Sequence, residues 1–306
     1  MTEHIYDMII VGGGPGGYTA ALYAARAGMD AVVLEMLSAG GQMALTQQIE
    51  NYPGIELIDG FELGEKMQQI AEGFGAKTEY AEVYSADLNA DPKIVNTSEG
   101  TFYGRTVVIA TGANPRELGL ANEAGLVGRG VSYCASCDGM FFRGKTVCVV
   151  GGGNTAAAEA VTLSRIAEKV YLIHRRDELR ATKIYHDRLE KIENVEFCWN
   201  SAVEDFIVDG KVKGVKLKNT KTGEVRELPC DGVFISIGRK PASDVFKDQV
   251  ETDEGGYIIA DESTRTNIRG VYAVGDVRTK ALRQVVTACA DGAVCVHYAE
   301  EFLAEK

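Results

Sequence analysis

The sequence has no apolar run approaching the roughly 20 residues that a membrane-spanning helix needs. Its first residues form neither the basic stretch nor the apolar core of a secretory signal. Positive charge is in short supply. Against 44 Asp and Glu there are 32 Lys and Arg, a net charge of −12, which argues against nucleic acid or an anionic membrane as partner. Only four histidines occur, and no second close cysteine pair accompanies Cys134 and Cys137, so the donor sets of zinc sites are missing. These absences predict a soluble, cytoplasmic protein without a metal centre.

What is abundant is glycine, at 35 of 306 residues. Two glycine clusters fall at strand ends. Tyr6–Val11 reads as a short apolar strand, followed by Gly12-Gly13-Gly14-Pro15-Gly16-Gly17, an Ala-rich helix over about 18–27, and Gly28 as its C-cap. Ala31–Leu34 is the next strand and ends in Glu35. Strand, glycine turn, helix, strand and acid, with the acid about twenty residues beyond the glycines, form the dinucleotide fingerprint. Gly12 permits the tight turn, Gly14 lets the backbone approach a pyrophosphate, and Gly17 allows close helix–strand packing. The helix N-terminus, with Pro15 in the turn that precedes it, faces the phosphates. Glu35 is expected to accept from ribose hydroxyls, which suits FAD.

The second cluster repeats the plan with one change. The strand Thr146–Val150 leads into Gly151-Gly152-Gly153-Asn154-Thr155-Ala156, a helix from Ala157 to about Ile166, and the strand Val170–Ile173. That strand ends in His174-Arg175-Arg176, with Arg180 a turn later. An acid would repel a 2′-phosphate, whereas guanidinium forks bind it, so this loop is expected to hold NADPH through Gly151, Gly153, Asn154, Thr155, His174, Arg175, Arg176 and Arg180.

Each half then closes alike. Val107–Ile109 runs into Ala110-Thr111-Gly112 before Pro115, and Phe234–Ile237 runs into Gly238 before Pro241. The predicted architecture is α/β, with two Rossmann-like three-layer dinucleotide-binding domains, the second inserted into the first. Residues 1–115 and 242–306 would form the FAD domain and 116–241 the NADPH domain, with Pro115 and Pro241 as hinges. In the returning segment, Gly275-Asp276 ends a strand and Arg283-Gln284-Val285 opens a helix. Asp276 can hold a ribityl hydroxyl, and the helix N-terminus suits the flavin edge that gains negative charge on reduction. Between the halves stands Cys134-Ala135-Ser136-Cys137-Asp138, which in a cytosolic chain reads as redox chemistry. The other five cysteines read as buried thiols.

With these motifs in hand, the chain closely resembles the low-molecular-weight thioredoxin reductases over essentially its full length. The landmarks are Gly12–Gly16, Gly40-Gly41-Gln42, Ala110–Gly112, Cys134–Asp138, His174–Asp177 with Arg180, Gly275-Asp276 and Arg283-Gln284. The resemblance implies a homodimeric flavoprotein that passes electrons from NADPH through FAD to thioredoxin. It implies that Gly41, Gln42, Thr46, Asn51 and Val83 lie near the flavin with Ala110, Thr111, Gly112, Asp276, Arg283, Gln284 and Val285. It further implies that Cys137 is the flavin-side sulfur, that Cys134 attacks the partner disulfide, and that Asp138 protonates the leaving thiolate. Dithiol and NADPH site fall on one domain, so the resemblance implies that the domain rotates between them. Ser136 stands where Thr is commoner, and Met140 where an aromatic is usual in the partner-facing stretch ahead of Phe141 and Phe142. A flavin dithiol oxidase or ferredoxin-fed reductase would not need the arginines, a peroxiredoxin reductase would carry an extra N-terminal domain, and a non-catalytic flavin sensor would need no dithiol.

Overall fold

The computed structural model describes residues 4–46 and 48–305. The chain divides into two compact units, Met1–Asn114 with Lys240–Lys306, and Pro115–Arg239.

The first unit opens with β1 (Ile5–Val11), α1 (Pro15–Arg26) and β2 (Ala31–Glu35). Met8, Ile9 and Ile10 are fully buried, as a central parallel strand covered on both faces requires. Ala20, Ala21 and Ala24 bring α1 close to its neighbours without a bulky side chain between. Then come α2 (Gly60–Gly73), β3 (Lys77–Tyr80), β4 (Val83–Asp87), β5 (Lys93–Thr97) and β6 (Gly100–Ile109). Asp59 caps α2 by accepting from the Phe61 and Glu62 amides. The strands order as β3-β2-β1-β6-β5-β4. β1, β2, β3 and β6 are parallel, and β4–β5–β6 is an antiparallel meander.

The strand β7 (Ala113–Pro115) leads out of this unit. The second unit contains α3 (Glu123–Leu126), β8 (Val131–Ser132), α4 (Ala135–Asp138), β9 (Thr146–Val150), α5 (Asn154–Leu163), β10 (Lys169–Ile173), α6 (Lys183–Leu189) and β11 (Val195–Cys198). It continues through β12 (Ser201–Asp209), β13 (Lys211–Asn219), β14 (Val225–Pro229) and β15 (Gly232–Ile235). Its main sheet is wholly parallel, in the order β11-β10-β9-β15-β8, and β12-β13-β14 is an antiparallel three-stranded sheet.

The chain returns through β16 (Arg239–Pro241), which pairs with β7. It ends in β17 (Val271–Ala273) and α7 (Val285–Ala304). β17 joins β6 in parallel at Val107–Ile109, next to the point where β5 leaves it, so the returning segment completes the first sheet. The α/β class and the nested pair of dinucleotide-binding folds are as expected. Two boundaries differ. α1 and α5 begin at Pro15 and Asn154, one turn before the expected starts, because Pro suits the first helical turn and Gly14 and Gly153 serve as N-caps. No helix among the described residues is long and apolar enough to cross a membrane.

Candidate active site

In the first unit, β1 delivers the chain into the glycine turn with no room for side chains. At Gly12 φ is +107°, and a Cβ would lie 2.5 Å from the Ala110 carbonyl oxygen. A Cβ on Gly17 would lie 1.9 Å from the Gly12 carbonyl oxygen. Gly14, by contrast, faces open space, and no side chain caps the start of α1. Buried Glu35 accepts from the Gly13 amide at 2.6 Å and from Leu37 at 3.1 Å. A carboxylate offers about four acceptor directions, so it retains capacity for a ribose hydroxyl. The tight turn, the open face at Gly14 and the buried acid together fit a dinucleotide with free ribose hydroxyls.

The other expected flavin-side residues converge on this loop in part. The Gly40 amide donates to Gly13 at 2.8 Å, and Gly41 lies against Gly14. Gln42 donates to Asn114 at 2.9 Å, and the Thr46 carbonyl accepts from Gly60 at 2.9 Å. Asn51 donates to the Gln284 side chain at 3.1 Å. Ala110 continues the pairing with Val11, the Thr111 hydroxyl donates to Ala242, and Gly112 accepts from Ala242. Val83 opens β4 and packs on the core side of the sheet. Arg283 lies ahead of α7, over the Tyr257 ring at 4.1 Å, and donates to the Asp276 carbonyl at 3.4 Å. Gln284 is the N-cap of α7 and forms a capping box with Thr287, and Val285 is the first helical residue. This helix start is therefore satisfied by its own side chains, unlike that of α1. Cys289 is only half-buried and contacts Tyr52 and the Pro15 carbonyl; Cys148, Cys198, Cys230 and Cys295 are buried.

The second unit repeats the turn with different chemistry. Gly151 crowds the Ser236 carbonyl as Gly12 crowds Ala110, and Gly153 faces open space as Gly14 does. Gly152 exists for another reason: a Cβ there would lie 2.2 Å from the His174 ring. His174 occupies the place of Glu35 at the strand end. Burial, then the charges of Arg180, Arg176 and Arg175, hold its pKa below the ordinary value, so it is a neutral imidazole at pH 7. Its buried Nε2 has no protein partner among the described residues. Arg175, Arg176 and Arg180 are exposed. The Arg180 and Ala181 amides donate to the Gly152 carbonyl at 2.7 and 3.1 Å, and the Asn154 side chain accepts from Thr182 at 2.8 Å, clasping this segment to the turn. Thr155 is exposed in the first turn of α5. An open glycine, an orphaned imidazole nitrogen and three guanidinium groups fit a phosphorylated ribose.

The same unit carries the dithiol. Cys134 and Cys137 form a disulfide with Cα atoms 5.3 Å apart. Cys134 is the N-cap of the single turn α4, and the Cys137 and Asp138 amides donate to its carbonyl. Ser132 binds both ends of the motif: it accepts from the Cys134 amide at 3.1 Å and donates to the Asp138 carboxylate at 2.7 Å. Burial raises the Asp138 pKa against that hydrogen bond, so its proton persists to higher pH than on a free carboxylate. No motif in the sequence marks Glu159. From α5 it accepts from the Ala135 amide at 3.2 Å and from the Ser236 hydroxyl, and burial raises its pKa too. One carboxylate thus ties the dithiol turn to the strand end that crowds Gly151. Met140 and Phe141 are exposed beyond the dithiol. Phe142 does not belong with them. A 3-10 turn over Gly139–Phe142 rotates it inward, where it stacks edge-on to Phe234 at 5.2 Å and covers Gly232.

Comparison with known proteins agrees with this chemistry. The pyridine nucleotide-disulphide oxidoreductase family matches residues 6–292. A thioredoxin reductase from Listeria monocytogenes is 47% identical over 304 residues, 99% of this chain and 95% of its own. One from Bacillus subtilis is 45% identical over 98% of this chain and 96% of its own. A solved thioredoxin reductase from Streptococcus pyogenes superposes with a TM-score of 0.93 at 43% identity, covering 100% of both chains. The chain belongs to the pyridine nucleotide-disulphide oxidoreductase family.

Proposed function

We infer that this chain reduces the disulfide of thioredoxin with electrons from NADPH, using FAD and its own Cys134–Cys137 pair. The observation that carries the reading is the Cys134–Cys137 disulfide bracketed by Ser132 and Asp138, in a chain 44–47% identical to thioredoxin reductases over nearly all its length. Bound FAD supplies a two-electron carrier that accepts hydride from a nicotinamide and passes an electron pair to a disulfide. The unit built on Gly12, Gly14 and Glu35 is assigned to FAD, and the unit 115–239 to NADPH.

The roles of the chain's own residues follow from their placement. Gly151 and Gly153 let a pyrophosphate approach the start of α5, and Arg175, Arg176 and Arg180 meet the 2′-phosphate. Opening the disulfide yields two sulfurs, one of which must leave as a thiolate. Asp138, with its proton retained by burial, is the assigned donor to it, supported by its position next to Cys137 and by the Ser132 hydrogen bond that holds its carboxylate. Exchange with the partner then re-forms the Cys134–Cys137 disulfide. Met140 and Phe141 offer an apolar face for that partner. NADPH site and dithiol lie on one unit, so each must reach the flavin in turn, and β7 and β16 are the assigned hinge. A cytoplasmic homodimer is the assigned setting, supported by the reductase resemblance.

The test is NADPH oxidation by the FAD-loaded protein with thioredoxin disulfide as sole acceptor. Turnover that requires both thioredoxin and Cys134 supports the reading. Rapid NADPH oxidation by dioxygen alone, indifferent to thioredoxin, would favour a dithiol oxidase instead.

A further inference from the structure

Beneath the Gly275–Asp276 turn lies a buried charge cluster that the reaction itself does not employ. Asp291, on α7, accepts through Oδ2 from the Gly275 amide at 2.8 Å, Arg278 Nε at 3.0 Å and Lys280 Nζ at 2.7 Å. Its Oδ1 accepts from Arg278 Nη2 at 2.8 Å. Arg278 is 2% exposed and gives Nη1 to the Ala260 and Thr279 carbonyls at 3.2 and 2.9 Å. Lys280, its side chain 6% exposed, also donates to the Thr287 carbonyl at 3.2 Å. Two cations share one buried carboxylate, and the other acids that act on Arg278, Glu262 at 4.0 Å and Asp261, are exposed. Such clusters are a poor source of stability, because desolvation of the ions consumes most of their attraction.

Three elements meet above it. Gly275 adopts φ +74°, and its amide points to Asp291. A Cβ on Gly16, in the first turn of α1, would meet Ala288, Val274 and Gly275, so the turn lies directly against the start of α1. Gly292, next to Asp291, lets α7 seat on that same helix: a Cβ there would be 2.3 Å from the Gly16 carbonyl oxygen. The Arg278 carbonyl in turn accepts from Arg283 at 3.2 Å, and Arg283 also holds the Asp276 carbonyl. Burial would raise the Asp291 carboxyl, but the Arg278 and Lys280 hydrogen bonds hold it below the usual range, so it is charged at neutral pH.

We propose that Asp291 is a positioning residue for FAD: through the Gly275 amide it locks the Gly275–Asp276 turn against the start of α1, and through Arg278 it places Arg283. The proposal rests on the assignment of this unit to FAD.

The experiment titrates apoprotein with FAD and reads the dissociation constant from flavin fluorescence. Variants are made in an Arg278→Met background, where Lys280 still balances Asp291; Asp291→Ala and Asp291→Asn leave Lys280 equally unpaired, so the difference between them reads the bond to the Gly275 amide. In that background Asp291→Ala should weaken FAD binding by at least about tenfold, the worth of a charge-assisted hydrogen bond. Asp291→Asn should stay within about threefold, because one side-chain oxygen remains for the Gly275 amide. Equal affinities for the Ala and Asn variants would overturn the proposal. So would loss of the apoprotein's melting transition in both, which assigns the cluster to folding alone. An apoprotein of native sequence that melts cooperatively yet takes up no FAD would instead refute the assignment of the unit.

Discussion

The two glycine loops share a backbone plan and differ in what waits at the end of the second strand. In the first unit it is Glu35, buried and bonded to the loop's own Gly13 amide. In the second it is neutral His174, flanked by three exposed arginines. Gly12 and Gly151 each press on a carbonyl, and Gly14 and Gly153 each face open space. On the proposed assignment the shared part serves the pyrophosphate and the strand-end charge selects the ribose. The second loop is also wired to the dithiol, through Glu159 on the same helix.

The strongest way to separate the halves is to remove the dithiol. Cys134→Ser and Cys137→Ser should each lower thioredoxin reduction to background, a loss above about 10⁴-fold. Anaerobic bleaching of the flavin by NADPH should persist in both. Near-normal thioredoxin turnover in either variant would break the division of labour.

Asp138→Asn acts within the dithiol half alone. Loss of a general acid is worth about 10²–10⁴-fold, so thiol exchange should slow by at least the lower figure while flavin reduction is unaffected. The sign of the pH effect follows from the raised pKa: exchange in the native protein should hold up below that value and decline as pH rises through it. A variant that keeps the native pH profile would place the acid elsewhere.

A smaller contrast sharpens the loop comparison itself. Gly17 and Ala156 occupy equivalent positions. A Cβ at Gly17 would lie 1.9 Å from the Gly12 carbonyl oxygen, whereas Ala156 is already accommodated, fully buried, in the second loop. Gly17→Ala should therefore yield protein that retains no FAD. Ala156→Gly should cost about 1 kcal/mol of stability and leave NADPH binding in place. Flavin content and thermal melting read both outcomes, and an FAD-replete Gly17→Ala protein would show that the two turns are looser than their contacts indicate.

Much of this was legible in the sequence because the signals are local. Strand, glycines, helix and strand-end charge occupy about thirty consecutive residues in each half, and Cys134–Asp138 is five in a row. The supporting contacts were not legible. Glu159 reaches Ala135 across 24 positions with no pattern between them. Asp291 reads as an ordinary polar residue of an apolar helix, and only the return of that helix to the first sheet sets it beneath Gly275. Within the 3-10 turn over Gly139–Phe142, Phe142 turns inward against Phe234 while its sequence neighbour Phe141 stays exposed, which no local pattern marks. Gly152 reads as a phosphate-loop glycine, yet its smallness serves the His174 ring.

If strand-end charge assigns the two nucleotides, nucleotide preference must report it. The measurement is kcat/KM for thioredoxin reduction with NADPH and with NADH, in the native protein and in an Arg175→Ala/Arg176→Ala/Arg180→Ala variant. Each charge-assisted hydrogen bond to the 2′-phosphate is worth roughly 1.5–3 kcal/mol, so the native protein should favour NADPH by at least about a hundredfold. The variant should lose most of that preference through NADPH alone, with its NADH efficiency little changed. Equal efficiency with both nucleotides in the native protein, or a preference that survives the triple substitution, would contradict the claim.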